Sequence, residues 1–191
     1  MTRTRDFDRQ KVLEKAMLVF WRKGVDEASI ADLLKEMKIS RSSMYEAFGS
    51  KDKLLLEAIQ CYMDDREAER EVLRDSGDVR LSIRRYFENH IERVFDENEP
   101  DGCLITNTAA SIDHQSALVQ QAVETNSKDI AAALTSLLEK GKASGQISPQ
   151  IDSKKWAFLL LNLHHSINII SKIDQKKDDF TQMIELIISL L

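Results

Sequence analysis

Apolar residues recur along most of this chain at spacings of three and four positions, and no stretch alternates apolar and polar residues for more than a few positions. The first spacing places side chains on one face of an α-helix, whereas strict alternation is typical of a strand. Only six glycines and two prolines interrupt the pattern. We therefore predict an all-α protein of about nine helices.

The first helix is predicted by its cap and its stop. Asp8 can accept hydrogen bonds from the first amides of a helix that runs to Lys23, and Gly24 can end that helix in the left-handed conformation. One face then carries Leu13, Ala16, Met17 and Phe20. We expect this face to lie in the core.

A second, shorter helix begins after Ser29, in the sequence S-I-A-D. A serine followed three residues later by an acidic residue has the spacing of a capping box, which Asp32 closes here. After about nine residues the pattern breaks at Lys38 and Ile39, and Ser40 can cap a third helix. The inward positions of the second helix are Ile30, Leu33, Leu34 and Met37.

The third helix ends near Phe48 and divides its side chains between two faces. Because helical residues turn by about 100° each, Met44 and Phe48 point together into the core. The opposite side carries Ser42, Tyr45 and Glu46, flanked by Arg41 and Ser43.

Six further helices follow from the same periodicity. Their expected spans are Lys51 to about Arg74, Val79 to about Asp96, Cys103 to Ser111, Leu118 to Gly145, Ser153 to about Ile173 after the cap Asp152, and Phe180 to Leu191. Asp178 is expected to cap the last helix. The clearest linker is formed by Asp75, Ser76 and Gly77.

The first helices have the arrangement of a helix-turn-helix, in which two short helices separated by a three-residue break pack on a longer one. The second short helix of such a pair enters the major groove of DNA. Arg41, Lys51 and Lys53 lie in the first turns of helices, where a cation costs roughly 0.3 to 1 kcal/mol unless an anion such as phosphate is near. A solvated face with surface cations is the alternative interpretation.

The charge distribution qualifies this interpretation. The 191 residues are 42% hydrophobic and 31% charged, and the net charge of −5 by itself argues against a nucleic-acid binder. The first 60 residues hold 12 lysines and arginines against 10 aspartates and glutamates, a net charge of +2, so the remainder carries −7. A mildly basic first third is compatible with local DNA contact.

Neither a membrane segment nor a secretory signal is evident. No run of about 18 uncharged apolar residues occurs, and the first residues lack an apolar segment. The two cysteines form no disulfide framework. We expect a cytoplasmic protein that makes no membrane contact.

Catalytic chemistry is not indicated. His164 and His165 are adjacent on a helix and diverge by about 100°, so they cannot ligate one metal from the same face. The chain carries no nucleophile motif and no phosphate-binding loop. We therefore expect no enzyme activity, no cofactor and no metal. An all-α adaptor that binds protein through its acidic body is the remaining competitor.

Residues 10–56 resemble the DNA-binding domain of the TetR family of bacterial transcriptional regulators. The matching segments are VLEKAMLVFWRKGV, SIADLLKEMKIS and SRSSMYEAFGSKDKLL. The family's usual form of the last segment is Ser-Lys-Gly-Thr-Leu-Tyr-His-Tyr-Phe-x-Ser-Lys. The residues that fall on it are Ser40, Tyr45, Phe48, Ser50 and Lys51.

The resemblance implies roles for individual residues. Base edges would be approached by Arg41 and Ser42. Phosphates would be held by Ser29, Ser43, Tyr45 and Lys51. Arg3 and Arg5 would form either an arm on the DNA or a disordered tail.

Two departures from the family pattern affect these roles. Lys38 replaces the frequent glycine of the turn, so either the left-handed position costs about 1 kcal/mol or the turn differs. Glu46 and Ala47 replace the frequent His-Tyr. A glutamate repels phosphate but can accept a hydrogen bond from cytosine N4, so Glu46 is either a base reader or a specificity filter.

The last two helices, about residues 152–173 and 178–191, are apolar around too much of their circumference to cover one small core. They indicate a self-complementary homodimer interface, or else burial within a monomer. The resemblance implies the dimer, together with a small-molecule inducer that binds in the body. The expected protein is then a repressor that binds a pseudo-palindromic operator and that the inducer releases.

Candidate pocket residues are aromatic or polar groups at plausible depth in the body. They are Phe87, His90, Cys103, Asn107, Asn162 and His164. Each is alternatively a satisfied core residue. Cys103 near a helix N-terminus is either a sensor of oxidants and electrophiles or an inert buried thiol.

The predicted organisation has three parts. They are a helix-turn-helix domain over residues 1–50, a connecting helix over 51–75 and a regulatory ligand-binding and dimerisation domain over 76–191.

Overall fold

A computed structural model of the chain describes residues 7–74, 77–173 and 176–191. Over these residues the protein is all-α, as predicted. Its ten α-helices are α1 (Arg9–Lys23), α2 (Ile30–Met37), α3 (Arg41–Phe48), α4 (Lys51–Asp65), α5 (Glu67–Glu71), α6 (Val79–Val94), α7 (Leu104–Ala109), α8 (Ala117–Ala143), α9 (Ser153–Ile170) and α10 (Lys177–Ser189). Arg3 and Arg5 of the predicted arm, and Asp75 and Ser76 of the predicted linker, lie outside the described residues.

The helix predicted from Lys51 to about Arg74 is interrupted. It ends at Asp65, and Arg66 takes φ −95° and ψ 0° before α5 begins. No glycine or proline marks this break in the sequence. The side chain of Arg66 pairs with Glu99 at 2.7 Å, a contact that periodicity cannot foresee.

The start of the last helix also differs from the prediction. α10 begins at Lys177, and its N-cap residue, Lys176, makes no side-chain cap hydrogen bond. Asp178 therefore lies within the first turn, where a carboxylate interacts favourably with the positive end of the helix dipole, and it does not cap the helix.

The first compact unit contains residues up to Asp65 and Cys103–Val123, and so includes α1 to α4, α7 and the start of α8. α1 packs against α2 and α4, and α7 also packs against α1 and α4. The rings of Trp21 and Tyr62 meet edge to face with centroids 5.0 Å apart. The largest fully buried side chains here are Phe20, Leu33, Met37, Met44, Leu54, Ile59, Leu104 and Ile105.

The second compact unit contains Arg66–Gly102 and Glu124–Leu191, and so includes α5, α6, most of α8, α9 and α10. Its core is built around Tyr86 and Phe87 of α6 and the leucines of α8. α8 and α6 come so close that a Cβ on Gly141 would collide with Val79. Among the described residues, no helix is long and apolar enough to cross a membrane.

Candidate nucleic-acid interface

The capping box of α2 is present as predicted. The Ser29 hydroxyl accepts the Asp32 amide at 3.1 Å and donates to Asp32 Oδ2 at 2.7 Å, while the Ser29 amide donates to the same oxygen. Lys23 adds an ion pair of 2.5 Å to Asp32. The hydrogen bonds from Lys23 and then from Ser29 lower the pKa of Asp32 to about 2. α2 is therefore anchored at its first turn.

The turn between α2 and α3 has the left-handed geometry that the family pattern implies. Lys38 has φ 56° and ψ 40°, and its amide donates to the Leu34 carbonyl at 3.0 Å. The first of the two expectations for Lys38 thus holds, and the strain falls on a lysine.

α3 begins with a cluster of three serine hydroxyls. Ser40 caps the helix by accepting the Ser43 amide at 3.1 Å. The Ser40 hydroxyl also lies 2.9 Å from the Ser42 hydroxyl and 2.8 Å from the Ser43 hydroxyl. The cap therefore also restrains the two polar side chains of the first turn, which sequence reasoning did not foresee.

The two faces of α3 divide as predicted. Met44 and Phe48 are buried in the first unit, whereas Arg41, Ser42 and Glu46 are exposed and Ser43 is half-buried. Tyr45 is 39% exposed, which is unusual for so large a ring. The Arg41 guanidinium lies over the Tyr45 ring, 5.8 Å from its centroid, within the range of a cation–π contact.

Lys51 in the first turn of α4 is partly engaged within the protein. Its ammonium group donates to the Val25 carbonyl at 3.0 Å. An ammonium group has three donors, so this hydrogen bond leaves capacity for a phosphate. Ser50 caps α4 by accepting the Lys53 amide at 3.1 Å.

A brace behind α3 was missed by sequence reasoning. Arg9 forms an ion pair with Glu57 at 2.6 Å, and its guanidinium lies 4.6 Å from the centroid of the Phe48 ring. The brace joins α1, α3 and α4 across 48 positions of sequence, and no local pattern indicates a contact of that range.

The six candidate pocket residues do not fall in one compact unit. Phe87, His90 and His164 are buried in the core of the second unit, whereas Cys103 and Asn107 belong to the first. Asn162 is exposed on α9, and its amide group donates to the Phe158 carbonyl at 2.7 Å.

His90 and His164 form the polar centre of the second unit. Their rings stack with centroids 3.9 Å apart, and Tyr86, absent from the predicted set, places its hydroxyl 3.0 Å from His164 Nδ1. His90 Nε2 lies 3.3 Å from the His164 carbonyl. Burial lowers the pKa of His90 to about 3 and that of His164 well below its usual value, so both rings are neutral.

Cys103 lies at the start of α7, as predicted, but only 5% of it is exposed. It packs in the core of the first unit with Leu104 and Ile105. This environment resembles that of an inert buried thiol more than that of a reactive one.

α9 and α10 expose an apolar surface. Phe158 of α9 is 67% exposed and Leu186 of α10 is 61% exposed. The other large apolar side chains exposed on or just beyond these helices are Leu159, Ile169, Ile170, Ile173 and Leu190. Exposed apolar side chains in such numbers are typical of interaction surfaces.

The chain is similar in sequence to known regulators. Residues 12–58 match the family described as bacterial regulatory proteins, tetR family, and residues 81–187, more than half of the chain, match the tetracyclin repressor-like C-terminal domain. Over the full length of both proteins, the chain is 29% identical to the HTH-type transcriptional regulator YezE of Bacillus subtilis. It is 25% identical to the HTH-type transcriptional repressor ComR of Escherichia coli over 152 residues, which are 78% of this chain and 72% of ComR.

A similar fold occurs in a regulator solved with DNA. A cysteine mutant of the TetR family transcriptional regulator CifR, complexed with 26-bp double-strand operator DNA, matches this chain with a TM-score of 0.85 over 98% of each chain. The sequence identity is 24%, so this likeness concerns the fold.

Proposed function

Because this chain belongs to the TetR family of DNA-binding transcriptional regulators, we propose that it acts as a homodimeric repressor of a pseudo-palindromic operator, from which a small-molecule inducer releases it. The family consists of transcriptional regulators and not of enzymes. Its relative ComR is named a transcriptional repressor, which supports repression over activation as the role proposed here.

The observation that carries the proposal is the exposed face of α3. Arg41, Ser42 and Glu46 project from the side opposite the buried Met44, on a helix that follows a left-handed turn. We propose that Arg41 and Ser42 read base edges, since an arginine pairs with guanine in the major groove and a serine hydroxyl serves either kind of base. Glu46 would accept from a cytosine amino group and disfavour other bases.

The phosphate contacts are proposed for the residues that flank this face. Tyr45 and Ser43 carry hydroxyls at its edge, and Lys51 retains donors beyond its hydrogen bond to Val25. Ser29 is the weakest of these contacts because its hydroxyl hydrogen already goes to Asp32, whose charge also repels phosphate.

A titration tests the DNA-binding residues. Fluorescence anisotropy against double-stranded DNA from beside the protein's own gene should give specific binding whose affinity falls with salt. Lys51→Ala should reduce the salt slope by about one and weaken binding to all sequences alike, whereas Arg41→Ala should relax specificity at one base pair. The control is Lys11→Ala, which removes an exposed lysine of α1. An unchanged slope in Lys51→Ala would remove its phosphate role.

The same titration separates the regulator from an adaptor. A wild-type protein that shows no specific binding at low salt would contradict the proposal and favour a protein partner for the acidic body. The match of residues 12–58 to a DNA-binding family supports the regulator.

Dimerisation is proposed through the exposed apolar surface of α9 and α10. The alternative of burial within a monomer requires these side chains to be covered by the chain itself, and Phe158 and Leu186 are not. Each copy in a twofold dimer contributes one α3 helix, so a pseudo-palindrome with two half-sites is the expected target.

The inducer site is proposed at the aromatic and histidine cluster of the second unit. Phe87, His90 and His164 offer ring surface and neutral hydrogen-bonding nitrogens that could exchange internal partners for a ligand. Mass spectrometry of the purified protein should detect a co-purified small molecule that His164→Leu no longer retains. Retention by that variant would exclude the site.

Redox sensing through Cys103 remains a second prediction, which its burial in the first unit does not favour. If oxidant released the Cys103→Ser variant from DNA as readily as the wild type, sensing through this thiol would be excluded.

A further inference from the structure

A chain of ionic contacts surrounds the first residues of the second compact unit. Arg66 Nη2 lies 2.7 Å from Glu99 Oε2, and Arg93 Nη1 lies 3.3 Å from the other oxygen of the same carboxylate. The guanidinium of Arg93 also pairs with Glu69. Four charges of alternating sign thus join the start of α5, the end of α6 and the loop that follows α6.

These ions are shielded from water. Only 11% of the Arg66 and Glu69 side chains is exposed, against 25% for Glu99 and 30% for Arg93. Ion pairs that are this shielded are screened little by salt, and loss of one member leaves an uncompensated charge in a poorly hydrated place. They therefore restrain the chain more firmly than exposed pairs do.

The contacts lie beside the three points at which the chain passes between its compact units. These crossings follow Asp65, Gly102 and Val123. Arg66 comes directly after the first crossing, and Glu99 comes just before the second. Arg70 Nη1 donates to the side-chain oxygen of Asn126 at 3.1 Å, and Asn126 comes just after the third crossing. α5 and its flank thus hold all three segments to one another.

We infer that this ionic clamp makes the three crossing segments move together within the second unit. Its members are Arg66, Glu69, Arg70, Arg93, Glu99 and Asn126. A change in any one of these segments is then shared with the other two, each of which continues into the first compact unit. The effect on operator affinity rests on the proposed function, whereas the mechanical link does not.

Hydrogen–deuterium exchange of the full chain without DNA tests the link. In Glu99→Gln, exchange should rise about tenfold or more in residues 66–71 and also in residues 124–130. The link to the second range runs along α5, whose N-cap residue Arg66 pairs with Glu99 and whose Arg70 donates to Asn126. Asn126→Ala is the milder variant, and in it only residues 124–130 should exchange faster. A rise confined to residues 96–102 in Glu99→Gln would overturn the inference.

Arg84→Gln is the control, at a more exposed ion pair. It removes a bidentate ion pair of the same unit, in which Arg84 Nε and Nη2 lie 2.5 and 2.7 Å from the two carboxylate oxygens of Glu185. This pair joins α6 to α10 away from the crossings, so exchange at the crossing segments should stay at the wild-type rate. An equal rise in Arg84→Gln would show a general loss of stability and overturn the clamp.

DNA binding supplies the second readout, with fragments that the wild-type protein recovers from a random double-stranded pool. Glu99→Gln should weaken binding to these fragments by about tenfold, and Arg84→Gln by less than about twofold. Unchanged affinity beside altered exchange would overturn the effect on DNA binding. If the wild type recovered no fragment, the proposed function would fail and the exchange experiment would still decide the clamp.

Discussion

Lys38 adopts a strained backbone conformation in the turn before α3. Among the described residues it is the one non-glycine residue with a positive φ, and for such a residue this conformation costs roughly 1 kcal/mol. The strain persists because α2 and α3 are each capped and packed on either side.

We predict that Lys38→Gly raises the free energy of unfolding by about 0.5 to 1 kcal/mol, because glycine adopts the left-handed conformation without strain. Urea denaturation measures the change. Lys35→Gly, the same substitution within α2, should lower the free energy of unfolding by about 1 kcal/mol. Equal effects of the two variants would show that the turn is not strained.

The buried histidine pair makes stability depend on pH. The folded protein holds His90 with a pKa of about 3, whereas an unfolded histidine titrates near 6.5. Between pH 3 and pH 6.5, His90 is therefore protonated in the unfolded state and neutral in the folded state. The contribution of His90 to stability is therefore complete above pH 6.5 and is lost as the pH falls toward 3.

We predict that His90→Gln flattens the decline of unfolding free energy between pH 6.5 and 4 by up to about 1.4 kcal/mol per pH unit, although the variant is less stable at pH 7.5. Denaturant titrations at several pH values measure this slope. The control is His114→Gln, which removes an exposed histidine and should keep the wild-type slope. A wild-type slope in His90→Gln would contradict the burial of a neutral ring.

At the scale of the element, α3 depends on its first turn. A helix of eight residues has little stability of its own, so the cap at Ser40 and the burial of Met44 and Phe48 hold it. The Ser40 hydroxyl meets the Ser43 amide and both neighbouring serine hydroxyls. Ser40 therefore both stabilises α3 and orients the polar side chains of its first turn.

We predict that Ser40→Ala lowers the free energy of unfolding by about 1 kcal/mol and weakens operator binding, whereas Ser40→Thr keeps the cap and stays within about 0.5 kcal/mol of the wild type. Chemical denaturation and anisotropy titration measure the two effects. Loss of DNA affinity in Ser40→Thr equal to that in Ser40→Ala would show that the cap is not the cause.

At the scale of the whole molecule, we expect a partner to cover the exposed apolar surface of α9 and α10. Clusters of large apolar side chains are rarely left in water, and a second copy of the chain would cover them symmetrically. The two helices are consecutive in the chain, so this surface is contributed by one segment of the sequence.

We predict that Leu186→Glu shifts the protein from dimer to monomer at micromolar concentration, because a carboxylate at the centre of an apolar interface weakens the dimer by about a hundredfold or more. Sedimentation velocity measures the state. Leu81→Glu substitutes another exposed leucine, on α6, and should leave the dimer intact. A monomeric wild type would contradict the proposed dimer, and a dimer in both variants would place the interface elsewhere.

Much of the fold follows from local sequence signals. The caps at Asp8, Ser29, Ser40 and Asp152 and the apolar periodicity sufficed for the all-α class and for most helix bounds, because caps and helical faces are set by residues within four positions of each other. The two faces of α3 followed from the same spacing.

The tertiary structure decided what depends on distant residues. The break at Arg66, the brace from Arg9 to Glu57 and the stacking of His90 on His164 join residues between 33 and 74 positions apart. Cys103 and His90, grouped by sequence in one pocket, fall in different compact units. Periodicity shows which face of a helix is buried, but it does not show which residues pack against that face. Only the tertiary structure could therefore assign these partners.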